Sequence, residues 1–327
     1  MTQYRGASWF RSPSAVFAVT VLCASPAHAD ALSLDAAVEI AAARAPQMTA
    51  RRAALESAEA LSVSAGRLPD PELVLGVDNL PVEGDDAWSF DEDFMTMRKV
   101  GVMQSFPNSR KRSSERERAA ASVAVVRQQQ QTTYLEVARA AADAWIDVYA
   151  AEQALEKLRT LEPEVRLQAE AARAALASGR GGAVDAIAAQ GAISEQADRV
   201  LVARREVQKA RAELARWIGD EAQQPLAPPP AFNELAHPRE RLLASLHRHA
   251  SLQEFDSRLA LARSDVDVAR AAKRPDWSVE LAYGERGAAF DDMASLEFRV
   301  GLPLFGRSRQ DPVISARRAE LSQLEAE

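Results

Sequence analysis

Few side chains in this chain have the types and spacing that chemistry requires. His247 and His249 lie two apart, so on a helix they point to different sides, and His237 stands alone. Surface histidines explain them better than a metal site does. Acidic groups cluster at Gly84-Asp85-Asp86, Asp91-Glu92-Asp93 and Asp291-Asp292, where a solvated loop is preferred to a cation site. There is no phosphate-cradling glycine loop, nucleophile elbow or cysteine cluster. Trp145 and Trp217 sit at helix-seam spacing and read as packing residues. The reading is therefore of a non-enzyme with no catalytic residue, no cofactor and no bound metal.

The other polar candidates lie in strands. Trp277, Val279, Leu281 and Tyr283 alternate with Ser278, Glu280, Ala282 and Gly284. Further on, Leu296, Phe298, Val300, Leu302 and Leu304 alternate with Glu297, Arg299 and Gly301. A period of two sends one set to each face, one apolar and one charged. An earlier strand does likewise, with Leu73, Leu75 and Val77 against Glu72, Gly76 and Asp78, and Val74 the exception. A strand at about 98–106 is the weakest of the four. A half-buried soluble sheet shows the same alternation. Aromatic residues near both ends of 276–284 favour a lipid-facing barrel strand. On that reading Trp277, Val279, Leu281, Tyr283, Phe298 and Val300 face lipid, and Glu280, Glu297 and Arg299 face a lumen. Leu281→Arg should then be costly, and Glu280→Arg tolerated.

The start of the chain supports export. Arg5 and Arg11 precede a short apolar stretch at 14–24, and Ala27-His28-Ala29 offers small residues where a signal peptidase reads. Cleavage is expected after Ala29. It would remove Cys23, the only cysteine, and take the net charge from -7 to -9. Leu22 before Cys23 argues against a lipid anchor. The acidic balance argues against nucleic acid as a partner. After the leader, no apolar run reaches the roughly 18 residues of a membrane-spanning helix.

The chain also repeats itself. Ala65-Gly66-Arg67-Leu68-Pro69-Asp70 is echoed by Ala271-Ala272-Lys273-Arg274-Pro275-Asp276. Val100-Gly101-Val102 with Phe106 is echoed by Val300-Gly301-Leu302 with Phe305. Each copy reads helix, Pro-Asp, strand, polar loop, strand, helix start. This suggests a duplicated unit, with a first repeat at 30–225 (strands about 71–80 and 98–106, hairpin 107–219). An incomplete second repeat follows at 226–327 (helix about 239–272, strands about 276–284 and 295–304, helix 310–327).

The composition, rich in Ala, Arg, Glu, Gln and Leu, favours long helices. One is expected over 34–65 and another from Pro107 to about Ala177, with a kink or bulge at Pro163. Ser178-Gly179-Arg180-Gly181-Gly182 breaks it, and a helix then runs to Ile218 with Ile193, Val200, Val207 and Leu214 in a heptad seam. Pro225 to Pro230 reads as a stiff linker. The long helix, about 70 residues or roughly 105 Å, matches the summed lengths of the next two, so these are expected to stack end to end along it. The fold class is mainly α with a small β component.

This order resembles the TolC-like outer membrane efflux proteins. Gly66-Arg67-Leu68-Pro69-Asp70-Pro71-Glu72-Leu73 is similar to the family's approach to its first strand. Gly179 followed by Val184-Asp185 is similar to its hairpin tip, and Leu214-Ala215-Arg216-Trp217-Ile218-Gly219 to the close of its first repeat. Asp78-Asn79-Leu80 and Met97-Arg98-Lys99-Val100-Gly101-Val102-Met103-Gln104 look closest to the heavy-metal branch. The resemblance implies a homotrimer in outer-membrane lipid, each protomer giving four strands to one barrel and its helices to a periplasmic tunnel. It also implies a periplasmic adaptor and an inner-membrane pump docking at the tip, with Ser178, Gly179 and Arg180 there. Where the family often has arginine four positions before the tip glycine, this chain has Ala175. The resemblance further implies a second hairpin, and the chain ends at Glu327, so a truncated, non-functional protomer is one expectation. Rival readings are a periplasmic adaptor, with a coiled-coil hairpin between compact β domains and no repeated strand pair, and a secreted hydrolase.

Overall fold

A computed structural model describes residues 31–231, 237–287 and 289–327. The leader and its cleavage residue Ala29 lie outside the described residues. The protein is mostly helical, with one four-stranded antiparallel sheet. Among the described residues no helix is long and apolar enough to cross a membrane.

Helix α1 (Leu34–Arg44) begins where the Ser33 side chain accepts from the Ala36 amide at 3.1 Å, satisfying one orphan donor. The helix expected over 34–65 is broken. Pro46 excludes helical geometry from the residue before it, and Ala45 is extended, with φ -57° and ψ 122°. Pro46 then opens α2 (Pro46–Ser64), a position where its missing N–H costs nothing.

Helix α3 (Ser109–Ala177) has the expected extent, and Asn108 caps it through the Lys111 amide at 2.8 Å. It passes Pro163 as continuous α-helix, without the expected local bulge. α4 (Ala183–Ile218) returns along its second half: Gln196 Nε2 donates to the Leu158 carbonyl at 2.6 Å, and Arg211 pairs with Glu152. α6 (Ala250–Ala271) lies along its first half, where Thr132 donates to Glu254 at 2.9 Å and Arg118 pairs with Asp265. α4 and α6 therefore lie along successive parts of α3, in the order expected, but α6, at 22 residues, is shorter than the length match required.

The single helix expected over 239–272 is interrupted. A short α5 (Arg239–Ala244) and a 3-10 turn (Leu246–Arg248) precede α6. His249 is extended and its Nδ1 accepts from the Ser251 amide at 3.3 Å, so this side chain starts a new helix instead of continuing the old one. α7 (Gln310–Ala326) packs on α6.

The core lies where α1, α3 and α4 meet, and its many alanines let the backbones approach. Ala37, Ala41, Ala141 and Ala144 surround Trp145, which is 0% exposed. Trp145 Nε1 donates to the Leu32 carbonyl at 3.0 Å, and its ring stacks on Tyr149. Leu32 also bridges the proline-rich linker, donating to Pro225 O at 2.8 Å. Trp217 packs against the edge of this core.

In the sheet, β1 (Glu72–Asp78), β2 (Met97–Phe106), β3 (Trp277–Glu285) and β4 (Met293–Val300) lie in chain order. β4 is shorter than expected, since Leu302 and Leu304 fall beyond it. The alternation continues in sequence, but β3 begins at Trp277, the partner of Val300, and beyond that pair the ladder adds only the Gly301 amide donating to the Asp276 carbonyl at 2.8 Å. Asp276, just before β3, ties the sheet to α3: its carboxylate accepts the Asn108 amide at 2.7 Å and Asn108 Nδ2 at 2.9 Å. Partial burial pushes this carboxyl up, but the Asn108 donors and Lys111 outweigh it and hold it below its ordinary range.

Candidate functional site: a two-faced sheet and a hairpin tip

The antiparallel register aligns the alternating residues into two continuous faces. On one, Leu281 stands between Val102 and Leu296, and Tyr283 between Val100 and Ala294. Leu281 is 62% exposed and Phe298 65%; Trp277, Tyr283 and Val300 are also exposed, and Val279 is half-buried. Leu73, Leu75 and Val77 continue this face onto β1. Trp277 stacks on Phe106 with centroids 4.2 Å apart, at the helix end of the sheet. So large an exposed apolar surface marks a place where something other than water belongs.

The opposite face carries a chain of charges across all four strands. Asp78 on β1 pairs with Lys99 on β2 at 3.4 Å. Lys99 pairs with Glu280 on β3 at 3.2 Å, and Glu280 with Arg299 on β4 at 2.7 Å. Arg299 also holds Glu297 at 2.7 Å. Glu280 is only 4% exposed and sits between two cations. Glu280→Arg would put a third cation between Lys99 and Arg299, so the sequence reading that it is tolerated is corrected here. Lys99 was missed as a member of this face, because the alternation of β2 is weak. The signal was its odd-even phase relative to Val100 and Val102.

Close packing accompanies this face. A Cβ at Gly101 would meet the Ala282 Cβ at 2.6 Å, which explains a glycine in a strand interior. The acidic loops are engaged with their own surroundings. Asp91 pairs with Arg98 at 3.2 Å, and Asp93 accepts the Met95 amide at 2.6 Å. Asp292 accepts from the Tyr283 hydroxyl and from the Arg286 amide, which hold its carboxyl below the ordinary range.

At the far end of the hairpin Ser178, Gly179 and Arg180 are all exposed. Gly179 has φ +70°, the left-handed geometry glycine adopts without strain, and its amide donates to the Leu176 carbonyl at 3.0 Å. The amides of Arg180 and Gly181 both reach the Ala175 carbonyl, at 2.9 and 3.0 Å. Arg180 Nε donates to the Ser178 hydroxyl at 3.1 Å. Val184 and Ile187 stand exposed beside the turn. Arg173, one turn back, reaches Gln190 across the hairpin.

A sheet with one exposed apolar face, joined to a hairpin of this length, can be set against solved structures. VceC, an outer membrane protein from Vibrio cholerae, superposes with a TM-score of 0.70 over 90% of this chain and 74% of its own, at 17% identity. The chain has the fold of the TolC-like outer-membrane channels. CusC, whose structures concern folding and transmembrane channel formation, superposes at 0.65 over 89% of this chain and 70% of its own, at 15% identity. The open-state outer membrane channel MtrE of Neisseria gonorrhoeae superposes at 0.63 over 90% and 69%, at 16% identity. No family model matches the chain, and no curated protein matches it in sequence. In this fold the repeated strand pairs share one sheet, which the adaptor reading, with compact β domains flanking a hairpin, does not provide for.

Proposed function

We propose that this chain is a subunit of an outer-membrane channel in a tripartite efflux system, a conduit and not an enzyme. The observation that carries it is the sheet: a continuous exposed apolar face backed by a charged face, on the channel fold. β2 and β3 have 10 and 9 residues, the reach of a tilted membrane strand at about 9–11 residues. Placed in lipid, the apolar face meets hydrocarbon and the chain from Asp78 to Glu297 lines water. Copies of the chain, three on the family's pattern, close the barrel. The helices then stand in the periplasm, and the exposed tip around Gly179 meets an adaptor that links it to an inner-membrane pump. The substrate class is metal ions or small toxic compounds. The heavy-metal branch is the finer proposal, and it rests on the resemblance at 78–80 and 97–104.

Fractionation tests the reading. Expressed in a Gram-negative host, the protein is expected in the outer membrane as a multimer that survives cold detergent and separates on boiling. Recovery as a soluble periplasmic monomer would refute it.

A further inference from the structure

Charge is sorted along the sheet. Four stretches lie where strands meet helices, at 66–70, 107–112, 271–276 and 305–311. Together they hold eight basic residues against three acidic ones. The two loops at the other end, 79–96 and 286–292, hold one basic residue against eight acidic ones. A chain with a net charge of -7 therefore gathers positive charge at the helix end of its sheet.

The four stretches form one collar. Arg116 donates to the Gly66 carbonyl at 3.2 Å, which ties the approach to β1 onto α3. Asn108 Nδ2 donates to the Ala271 and Arg274 carbonyls, both at 3.3 Å, which ties the start of α3 to the approach to β3. Lys273 pairs with Asp311, at the start of α7. Asp276 is likewise held, by Lys111 at 3.3 Å. Arg67, Arg110, Arg274, Arg307 and Arg309 are all exposed, and none has a side-chain partner among the described residues. Of the three carboxylates only Asp70 lacks a partner among the described residues, so a neighbouring collar could match one of these arginines and not five.

The collar also grades into the apolar face. Leu302, Leu304 and Phe305 are 66%, 76% and 69% exposed, and they lead from β4 directly to Arg307. Leu68, also exposed, stands next to Arg67 on the way to β1. The stacked Phe106 and Trp277 lie at the same level. Apolar residues that give way to arginines suit the boundary of a lipid layer, where long side chains keep their stems in hydrocarbon and their charged heads among the headgroups. A guanidinium matches phosphate geometry with two parallel hydrogen bonds.

We propose that this collar binds the headgroups of anionic phospholipids in the periplasmic leaflet of the membrane. The five arginines meet the phosphates, and Leu302, Leu304 and Phe305 meet the upper acyl chains. The proposal rests on the channel reading, which turns this end of the sheet to the periplasm, and adds a lipid partner to it. An acidic protein would satisfy the charge, but it would not account for the merging of the collar into a lipid-facing band.

Native mass spectrometry of the purified multimer, taken from detergent containing equal amounts of phosphatidylglycerol and phosphatidylcholine, tests this. The wild type should retain phosphatidylglycerol over phosphatidylcholine by roughly tenfold, as expected of several arginines close to an anionic headgroup. Replacing all five arginines by Gln should bring that ratio close to one. The milder Arg307→Gln with Arg309→Gln should lower it part of the way, which keeps the test open if the fivefold variant fails to assemble. Arg159→Gln with Arg204→Gln, at exposed positions on the hairpin, should leave it unchanged. Added inorganic phosphate should not release the lipid, because the acyl chains contribute to its hold. Equal retention of the two lipids by the wild type, an unchanged ratio in the collar variants, release by inorganic phosphate, or collar-dependent capture of an acidic protein with no lipid preference would each overturn the proposal. If the wild type is still a heat-modifiable outer-membrane multimer in those cases, the collar alone is wrong. If it is not, the channel reading falls with it.

Discussion

Leu281→Arg is expected to lose most of the folded, membrane-inserted multimer, while Leu281→Phe keeps it. Leu281 is the middle residue of β3, exposed on the apolar face between Val102 and Leu296. In a soluble sheet, arginine at an exposed position changes stability little. In a barrel wall it places a charge near the bilayer midplane, at a cost of about 2–4 kcal/mol. That difference makes the variant diagnostic. The measurement is the fraction of heat-modifiable multimer in outer-membrane extracts, with urea unfolding of the purified protein in detergent or lipid as the quantitative companion. Equal multimer fractions for Leu281→Arg and Leu281→Phe would place this face against water or protein.

Trp145→Ala should destabilise the helical body by about 3–5 kcal/mol, the usual range for removing a buried large aromatic side chain. Trp145 is fully buried where α1, α3 and α4 meet, and its indole N–H holds Leu32, which in turn holds the chain after Pro225. Truncation leaves a cavity among alanines too short to fill it. Trp145→Phe keeps much of the volume and forfeits mainly the hydrogen bond, for about 1 kcal/mol. Denaturant unfolding followed by circular dichroism should rank the wild type above the phenylalanine variant and that above the alanine variant. An alanine variant as stable as the wild type would show that the three helices do not share one core.

The sequence makes the long elements legible because their periods are sustained. α3 and α4 end at a proline, a glycine run and Gly219, which stop a helix for local reasons, and their observed limits match the expected ones. The two faces of β3 could be read because its residues alternate from Trp277 to Gly284, with only the terminal Glu285 breaking the pattern. The breaks at Ala45 and at 245–249 were not foreseen. At Ala45 the warning was Pro46, outweighed by helix formers on both sides. At His249 it was a side chain competing for a backbone amide, which periodicity does not register. The end of β4 was misplaced because alternation reports the faces of a strand and not whether a neighbour is there to pair with it. Lys99 was overlooked for a related reason: its role depends on Glu280, which lies 181 positions away and is brought to 3.2 Å only by the register of β2 on β3.

The central claim is that copies of this chain together form a water-filled pore through lipid. Single-channel recording of the purified multimer in planar bilayers is the direct test. Discrete, reproducible conductance steps are expected, with an ion preference that changes when Glu297 of the charged face is replaced by Gln. Insertion without any steps, or steps indifferent to the charges between Asp78 and Glu297, would contradict it.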